Sequence, residues 1–592
     1  LSRWYASRIV SDLLERVRAF ADQDVDPEAA AWLRGRAEAA ASGDPEARAE
    51  LVDAFAGPLE FGTAGLRGLL GPGETRMNRA VVIRATYGLA RHLLATTPDA
   101  ATRGVVIGRD GRRMSPELQR DAAEVCAALG VKVHWLEGTT PTPVAAFAVR
   151  HLGAAAGVVV TASHNPPAYN GYKVYWGNGA QIIPPIDAGI ASEIAAAPPA
   201  RDVPRLGLAE ARAAGLVVDA AVEDAYLAGV GKLAFTPGAP VGELVVAYSA
   251  LHGVGERVLR RAFAARGLTQ LHSVAEQAEP DGAFPTVAFP NPEEPGALDL
   301  VLALAGRVSA DVVLVNDPDA DRLGVAVRGA DGAYVTLSGN EIGVLLADHV
   351  MRHDAPGDAS RLFVTTLVSS QMLARMAADR GARYAETLTG FKWIANRALD
   401  LEAQDGLRFA FGYEEALGYT VGTVVRDKDG IGAALVMAEL AAGLKAAGQT
   451  PLDRLAELAR AHGLFVSRQK SVTLPGRDGL PRIKAAMAQL RAAGLGAVPE
   501  ALSLWDLDAG TRVLAGGATE AVPGWSGDVL IFALPGGGRA SVRPSGTEPK
   551  VKLYLEVVEP LGAAEPVAAA RARGEAQLDA LLARLLSVAG LA

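Results

Sequence analysis

The stretch that decides the fold runs from residue 104 to residue 166: GVVIGRDGRRMSPELQRDAAEVCAALGVKVHWLEGTTPTPVAAFAVRHLGAAAGVVVTASHNP. GVVIGRD (104–110) reads as a short apolar strand, and residues 116–129 have helical spacing. VKVHW (131–135) is a second strand, a helix follows Pro143, and GVVV (157–160) is a third strand that runs straight into TASHNP. This βαβαβ order predicts a parallel or mostly parallel sheet. After the next strand, YKVYW, Gly177-Asn178-Gly179 reads as a hairpin turn.

Moving outward, the pattern restarts twice. From 244 come the strand LVVAYSA, a helix near 255–266, a further strand, a helix near 297–308, and the strand DVVLV (311–315), which ends at an acidic loop. From 339 come a helix, RLFVTTLV, a helix, ARYAE, a helix, and LRFAF, which ends at a third polar loop. Each unit puts a polar loop beyond the C-terminal end of a strand, the usual ligand edge of an open α/β sheet. After about 465 the strands LFVSRQKSVTL, DVLIFAL, RASVRP and KVKLYLEVV mix with a helix near 478–492 and a long last helix, 563–590, as in an α+β domain. Alanine-rich stretches near 190–225 and 433–463 read as helical connectors.

At 592 residues the chain is too long for one hydrophobic core. Half the residues are apolar, yet no apolar run approaches the roughly 20 residues of a membrane span. The first twenty residues lack a long apolar run and place Ile9, Leu13, Leu14 and Val17 on one side, an amphipathic helix rather than a signal peptide. A net charge of −9 implies no general affinity for nucleic acid or anionic membrane. An anionic substrate must therefore be caught by locally placed cations. The one cysteine, Cys126, cannot form an internal disulfide and lies in an apolar run, so it is expected in the core and the chain in the cytoplasm. Only ten of the 58 basic residues are lysine, and Lys173, Lys392, Lys428, Lys550 and Lys552 fall in or beside the polar loops. Those positions favour a compact ammonium over a guanidinium fork.

Four loops carry the chemistry. In Thr161-Ala162-Ser163-His164-Asn165-Pro166-Pro167, a serine on a turn after a buried strand is expected to be exposed and fixed, which suits a nucleophile. The same residues read equally as a helix-capping Ser/Asn-Pro turn. No G-x-S-x-G elbow is present, and His164, as a neighbour on an extended chain, is expected to point away from Ser163. In Asn316-Asp317-Pro318-Asp319-Ala320-Asp321-Arg322, three alternate carboxylates can converge on one hard cation if the loop curves. An EF-hand is excluded, because Arg322 and Arg328 stand where it needs glycine and glutamate. A solvated acidic turn is the plainer reading, but three close carboxylates between apolar strands repel one another without a cation. Arg543-Pro544-Ser545-Gly546-Thr547-Glu548-Pro549-Lys550 offers hydroxyls, an arginine, a lysine and backbone N–H groups to a phosphate, or is an ordinary turn joining two strands. Gly412-Tyr413-Glu414-Glu415-Ala416-Leu417-Gly418-Tyr419 presents two glutamates that can accept from sugar hydroxyls or open a helix. No Walker loop and no complete dinucleotide fingerprint occurs.

Together, TASHNP, DPDADR, GYEEALG and RPSGTEPK, in that order over nearly the whole chain, resemble the α-D-phosphohexomutase superfamily of phosphoglucomutases and phosphomannomutases. The segments 60–68 (EFGTAGLRG), 390–393 (GFKW) and 427–430 (DKDG) also match, most closely to the branch with phosphopentomutase and the longer phosphoglucomutases. The resemblance implies an α/β fold of three similar α/β domains with mixed sheets plus a C-terminal α+β domain around a central cleft, the last one mobile. The expected divisions are 1–215 with the phosphoserine loop, 216–335 with the metal loop, 336–460 with the sugar loop and 461–592 with the phosphate loop. The resemblance implies a catalytic set of Ser163, Lys173, Arg67, His164 and Arg322. It implies Mg2+ on Asp317, Asp319, Asp321 and an oxygen of phosphorylated Ser163. Substrate contacts would be Lys392, Glu414, Glu415, Arg543, Ser545, Gly546, Thr547 and Lys550. Ala416 departs from the serine of many hexose-specific relatives, which bears on the sugar.

The implied activity is interconversion of sugar 1-phosphate and sugar 6-phosphate, glucose first, through phosphoserine and a sugar 1,6-bisphosphate that also serves as activator. The alternatives are a phosphopentomutase, a phosphomannomutase, or a sugar-bisphosphate synthase using the same serine. A phosphatase would let water attack phosphoserine. A non-catalytic phosphosugar binder would need neither the serine nor the aspartates. The expected partner is a small phosphosugar, with no nucleic acid or membrane, for a monomer or dimer.

Overall fold

The computed structural model describes residues 3–62, 65–475, 478–522, 524, 526–545 and 550–591, with side chains from residue 11 onward. The chain divides into two compact units. The first comprises Leu1–Leu337, Gly390–Asp400 and Leu417–Ala446; the second comprises Ser338–Thr389, Leu401–Ala416 and Ala447–Ala592.

The first unit opens with three helices, Arg3–Gln23, Pro27–Ala41 and Pro45–Ala54, which share a core of Val17, Leu33, Leu51 and Phe55. The second and third begin with the same Asp-Pro-Glu signature. Asp26 accepts from the Glu28 and Ala29 amides, and Asp44 from those of Glu46 and Ala47, while proline takes the position that needs no amide.

A six-stranded mixed sheet follows. Val105–Arg109 lies between parallel partners Ala156–Val160 and Val133–Trp135, and Val217–Asp219 extends the parallel edge. Tyr169–Trp176 runs antiparallel to Ala156–Val160, and Leu66–Leu69 antiparallel to it. The three central strands are buried through almost every residue, as expected for a sheet covered on both faces. The hairpin expected at 177–179 is present, with Trp176 N donating to Ala180 O at 2.9 Å. A second mixed sheet of five strands centres on Val312–Val315, parallel to Val246–Ser249 and antiparallel to Gly324–Arg328.

In the second unit Arg361–Thr366 lies between parallel strands Arg383–Thr387 and Arg408–Glu414. The chain then builds a seven-stranded sheet whose neighbours are antiparallel throughout. Its longest pair is Leu464–Thr473 with Lys550–Glu559. Helices Gly479–Ala493 and Val567–Val588 pack over it around Ile483, Leu490, Leu578 and Leu585. Three α/β domains with mixed sheets, followed by an α+β domain, is the architecture the sequence predicts.

Two expectations change. The stretch 433–463 does carry the chain from the first unit to the second, at Ala446–Ala447, but its first part is more than a connector: Gly430–Ala446 is a core helix of the first unit, buried along nearly its whole length. Alanine and glycine are small enough there for close packing on every side, which erases the amphipathic stripe of a surface helix. The short strands Val217–Asp219, Ser503–Asp506, Thr511–Leu514 and Thr519–Ala521 add to those the sequence predicts. They carry three or four residues each, too few for an alternating pattern to show.

Candidate active site

Ser163 follows the buried strand Ala156–Val160, but it is not exposed. Only 3 % of it meets solvent, because the turn folds inward over the strand ends. Its backbone lies in the left-handed region at φ 51°, and its amide is held by Thr161 Oγ1 at 2.8 Å. That conformation also corrects the expectation for His164. The chain is not extended at Ser163, so the neighbouring side chains turn to the same side, and His164 Nδ1 lies 3.0 Å from Ser163 Oγ. Burial, and then the cations Arg322 and Arg67, hold the imidazole well below its ordinary pKa, so it is neutral.

The acidic loop curves as convergence requires. Ala320 takes φ 61°, and its amide donates back to Asp317 O at 2.8 Å. Asp317, Asp319 and Asp321 are fully buried, and one oxygen of each lies within 4.8 Å of the others. Ser163 Oγ donates to Asp317 Oδ2 at 2.7 Å, so the serine and the carboxylates form one site. Lys173, on the strand Tyr169–Trp176 rather than in a loop, places Nζ 2.6 Å from Asp319 Oδ2 and 2.8 Å from Asp321 Oδ2. Thr142 Oγ1 donates to the same Asp319 oxygen at 2.7 Å, and Lys428 Nζ lies 3.2 Å from Asp321 Oδ2. The other oxygens, Asp319 Oδ1 and Asp321 Oδ1, are buried without a hydrogen-bond partner. Bare buried carboxylate oxygens are costly, and a cation would satisfy both. The residues present therefore fit a metal ion.

The charges behave accordingly. Burial, and then Asp319 and Asp321, push Asp317 well above the usual carboxylate range. Burial would raise Asp319 too, but the Lys173 ammonium and the Thr142 hydroxyl overcome it and hold Asp319 below that range. Burial alone would discharge Lys173, yet its two aspartates raise it above the ordinary lysine value. Asp427 orders the wall behind Lys428. Its Oδ2 accepts from Tyr175 and Gln181, each at 2.7 Å.

The remaining residues divide between the units. In the first, Arg67 donates to Asn165 Oδ1 at 2.8 Å, and the Arg322 amide donates to Asp317 Oδ1 at 3.0 Å. Lys392 Nζ reaches Gly62 O at 3.4 Å. In the second, Glu414 closes a strand, and Glu415 Oε2 accepts from Thr366 and Ser369 hydroxyls at 3.2 and 3.1 Å. Arg543 hydrogen-bonds the Thr389 hydroxyl, and the Ser545 amide donates to Lys550 O at 2.8 Å. Gly546 and Thr547 lie outside the described residues. The four loops read from the sequence do not include Thr142 or Arg112, and Asp427 enters only within the matching segment 427–430. Arg112 lies three residues beyond the strand Val105–Arg109, and that position at a strand end is the one signal in the sequence that could have found it.

A buried serine hydroxyl set against a carboxylate triad at the C-terminal ends of α/β strands is equipped for phosphoryl transfer. Models of the phosphoglucomutase/phosphomannomutase family match in chain order: alpha/beta/alpha domain I over residues 58–201, domain II over 224–331, domain III over 338–462 and the C-terminal domain over 484–574. The chain belongs to this family and is an intramolecular phosphotransferase, an isomerase of the mutase type. A Haemophilus influenzae protein named probable phosphomannomutase is 40% identical, over 81% of this chain and 93% of that protein. The human phosphopentomutase is 36% identical over 92% and 93%, and a Staphylococcus epidermidis phosphoglucomutase 35% over 84% and 90%. Among solved structures, a phosphoglucomutase/phosphomannomutase family protein from Burkholderia thailandensis shares the fold with a TM-score of 0.63 at 24% identity, covering 89% of this chain and 97% of that one. The open form of Paramecium parafusin, a phosphoglucomutase, gives 0.65 at 18% identity, covering 90% and 95%.

Proposed function

We propose that this mutase interconverts the 1-phosphate and 6-phosphate of a hexose, glucose first, with Ser163 as the phosphate carrier. The observation that carries the reading is Ser163 Oγ held 2.7 Å from Asp317 inside the buried triad. In the first half-reaction the phosphoserine P–O bond breaks and a sugar hydroxyl oxygen bonds to phosphorus. The hydroxyl proton ends, net, on Ser163 Oγ, and the product is the sugar 1,6-bisphosphate. The bisphosphate turns around, and its other phosphoryl group returns to the serine. A phosphoryl group in transit spreads negative charge over its oxygens, so cations and positioning do most of the work. Arg67, Lys173 and Arg322 supply fixed positive charge around Ser163, and neutral His164 is placed to exchange a hydrogen bond with Oγ. Asp317, Asp319, Asp321 and a serine phosphate oxygen would hold magnesium, which when bound neutralises developing charge and stabilises the serine oxygen as leaving group. Lys392, Glu414 and Glu415 are read as sugar contacts, and Arg543, Ser545, Gly546, Thr547 and Lys550 as the cradle for the phosphate not being transferred.

A pentose 1-phosphate is the second reading. It is favoured by Ala416 and by relatives named phosphopentomutase over 92% of the chain. The enzyme would act in the cytoplasm, as a monomer or dimer, on small phosphosugars.

Intact-mass and peptide mass spectrometry of the purified protein should find a fraction of Ser163 phosphorylated. Ser163→Ala should lose nearly all turnover while keeping its circular dichroism. Normal turnover by that variant would overturn the reading. A panel of glucose, mannose and ribose 1-phosphates, with magnesium and a trace of bisphosphate, ranks the sugars. Release of inorganic phosphate in place of isomerisation would make the protein a phosphatase, and accumulation of bisphosphate a synthase.

A further inference from the structure

Arg112 is 2 % exposed and faces the main chain of the serine loop. Its Nη2 donates to Ser163 O at 2.6 Å and Asn165 O at 2.5 Å. Its Nη1 donates to Pro166 O at 3.0 Å and Tyr169 O at 3.2 Å. Its Nε forms an ion pair with Asp110 Oδ2 at 3.3 Å. Of the five N–H groups of a guanidinium, four donate to loop carbonyls, and the fifth, on Nε, is buried facing Asp110 without a hydrogen bond. The four bonded donors are committed to the loop and the fifth is buried, so Arg112 cannot serve as a substrate ligand without abandoning the loop.

The loop needs such a centre. The left-handed backbone at Ser163 is unfavourable for a residue with a Cβ and persists only where its surroundings over-determine it. The carbonyls of residues 163, 165, 166 and 169 all turn toward one point, where without a cation they would repel one another and lack partners. We propose that Arg112 is the positioning residue that sets the aim of Ser163 during phosphoryl transfer, acting through the main chain alone. This rests on the reading of Ser163 as phosphate carrier.

Two parts of the first unit hold the guanidinium in place. Asp110, beyond the strand Val105–Arg109, accepts from the Arg112 amide at 3.0 Å and the Ser115 hydroxyl at 2.9 Å. From the loop after Leu271–Ser273, the Phe284 ring lies 4.9 Å from the Arg112 guanidinium carbon. The backbone passes so near that a Cβ on Gly282 would stand 2.9 Å from Arg112 Cα. The aim of the serine is thus set jointly by the domain that bears it and the domain that bears the aspartates.

Arg112→Lys keeps the charge but offers three donors on one nitrogen, which cannot span four carbonyls. The variant should lose about a hundredfold in kcat in both directions, with KM for the monophosphate changed by less than about twofold. In Arg112→Ala, added guanidinium ion should restore part of kcat and added ammonium should not. Peptide mass spectrometry of the wild type tests the underlying reading separately. A wild type that turns over with no phosphate on Ser163 at any stage removes the carrier. A phosphorylated wild type beside an Arg112→Lys enzyme of unchanged kcat removes only the positioning role, as does a loss that falls mainly on KM. If Arg112→Lys does not fold, Phe284→Leu takes its place, since it strips the ring and leaves all five donors. Its kcat should fall several-fold at constant KM, and an unchanged kcat counts against the proposal.

Discussion

Lys173 is a buried ammonium between two buried carboxylates, and its placement decides where the open valences of the site lie. By taking Oδ2 of both Asp319 and Asp321 it leaves their Oδ1 atoms without a partner. Lys173→Met should therefore expose the cost of uncompensated charge. Without metal, urea unfolding should show a loss of about 3–5 kcal/mol, the usual result of removing one partner from a buried ion pair. Millimolar magnesium should recover part of it, because a cation then replaces the missing charge. Asp319→Asn should weaken magnesium binding in calorimetry and lower the rate by orders of magnitude. Full activity with excess chelator would refute the metal assignment. A different single residue contributes to the response to pH. Burial pushes Glu556 up to about 7, against the opposing pull of the Gln371 amide, the Ser370 hydroxyl and Arg539. A carboxyl whose pKa is raised on folding binds its proton more tightly in the native state. Its contribution is thus full below about pH 4.5 and falls as pH rises toward 7. Glu556→Gln should flatten stability over that window by about 3 kcal/mol, read from denaturant midpoints at a series of pH values.

Among the elements, the helix Gly430–Ala446 fixes the segment at 235–236 and Arg266 through one charge. Glu439 is fully buried, accepts from the amides of Phe235 and Thr236 at 2.9 and 2.7 Å, and pairs with Arg266. Glu439→Ala would orphan two amides and a guanidinium at once. A loss of about 3–5 kcal/mol in chemical denaturation is expected, and a change under about 1 kcal/mol would show that water or neighbouring groups fill the gap. This helix also shows where sequence reading reaches its limit. Strands such as Val105–Arg109 and Val312–Val315 are apolar runs bounded by polar loops, so both their position and their ligand ends are visible in the residues. The burial of 430–446 is a tertiary fact, since an alanine-rich run looks alike in a linker and in a core. The same holds within the site. The Asp triplet is legible because its three residues are neighbours in the chain. Arg112 and Thr142 are not, because what they touch lies 51 and 177 residues away. The conformation of Ser163 was hidden as well, since a positive φ on serine has no compositional mark.

Across the molecule, the candidate residues divide between two compact units. Ser163, the aspartates, Arg67, Lys173, Arg322 and Lys392 lie in the first; Glu414, Glu415, Arg543, Ser545 and Lys550 lie in the second. If the cradle around Arg543 serves the phosphate that is not reacting, it must serve both half-reactions, because the sugar presents opposite ends in turn. Arg543→Ala should then raise KM for the 1-phosphate and the 6-phosphate alike, by roughly ten- to a hundredfold, the value of one charge-assisted contact. A rise for one monophosphate only would mean that the cradle reads a single end of the substrate. No single helix among the described residues is long and apolar enough to cross a membrane. The lone cysteine has a practical consequence. Cys126 is buried, and burial pushes its thiol up to about 12, so the native chain presents no reactive sulfur to maleimides or mild oxidants. Any cysteine introduced at the surface is therefore labelled against a silent background.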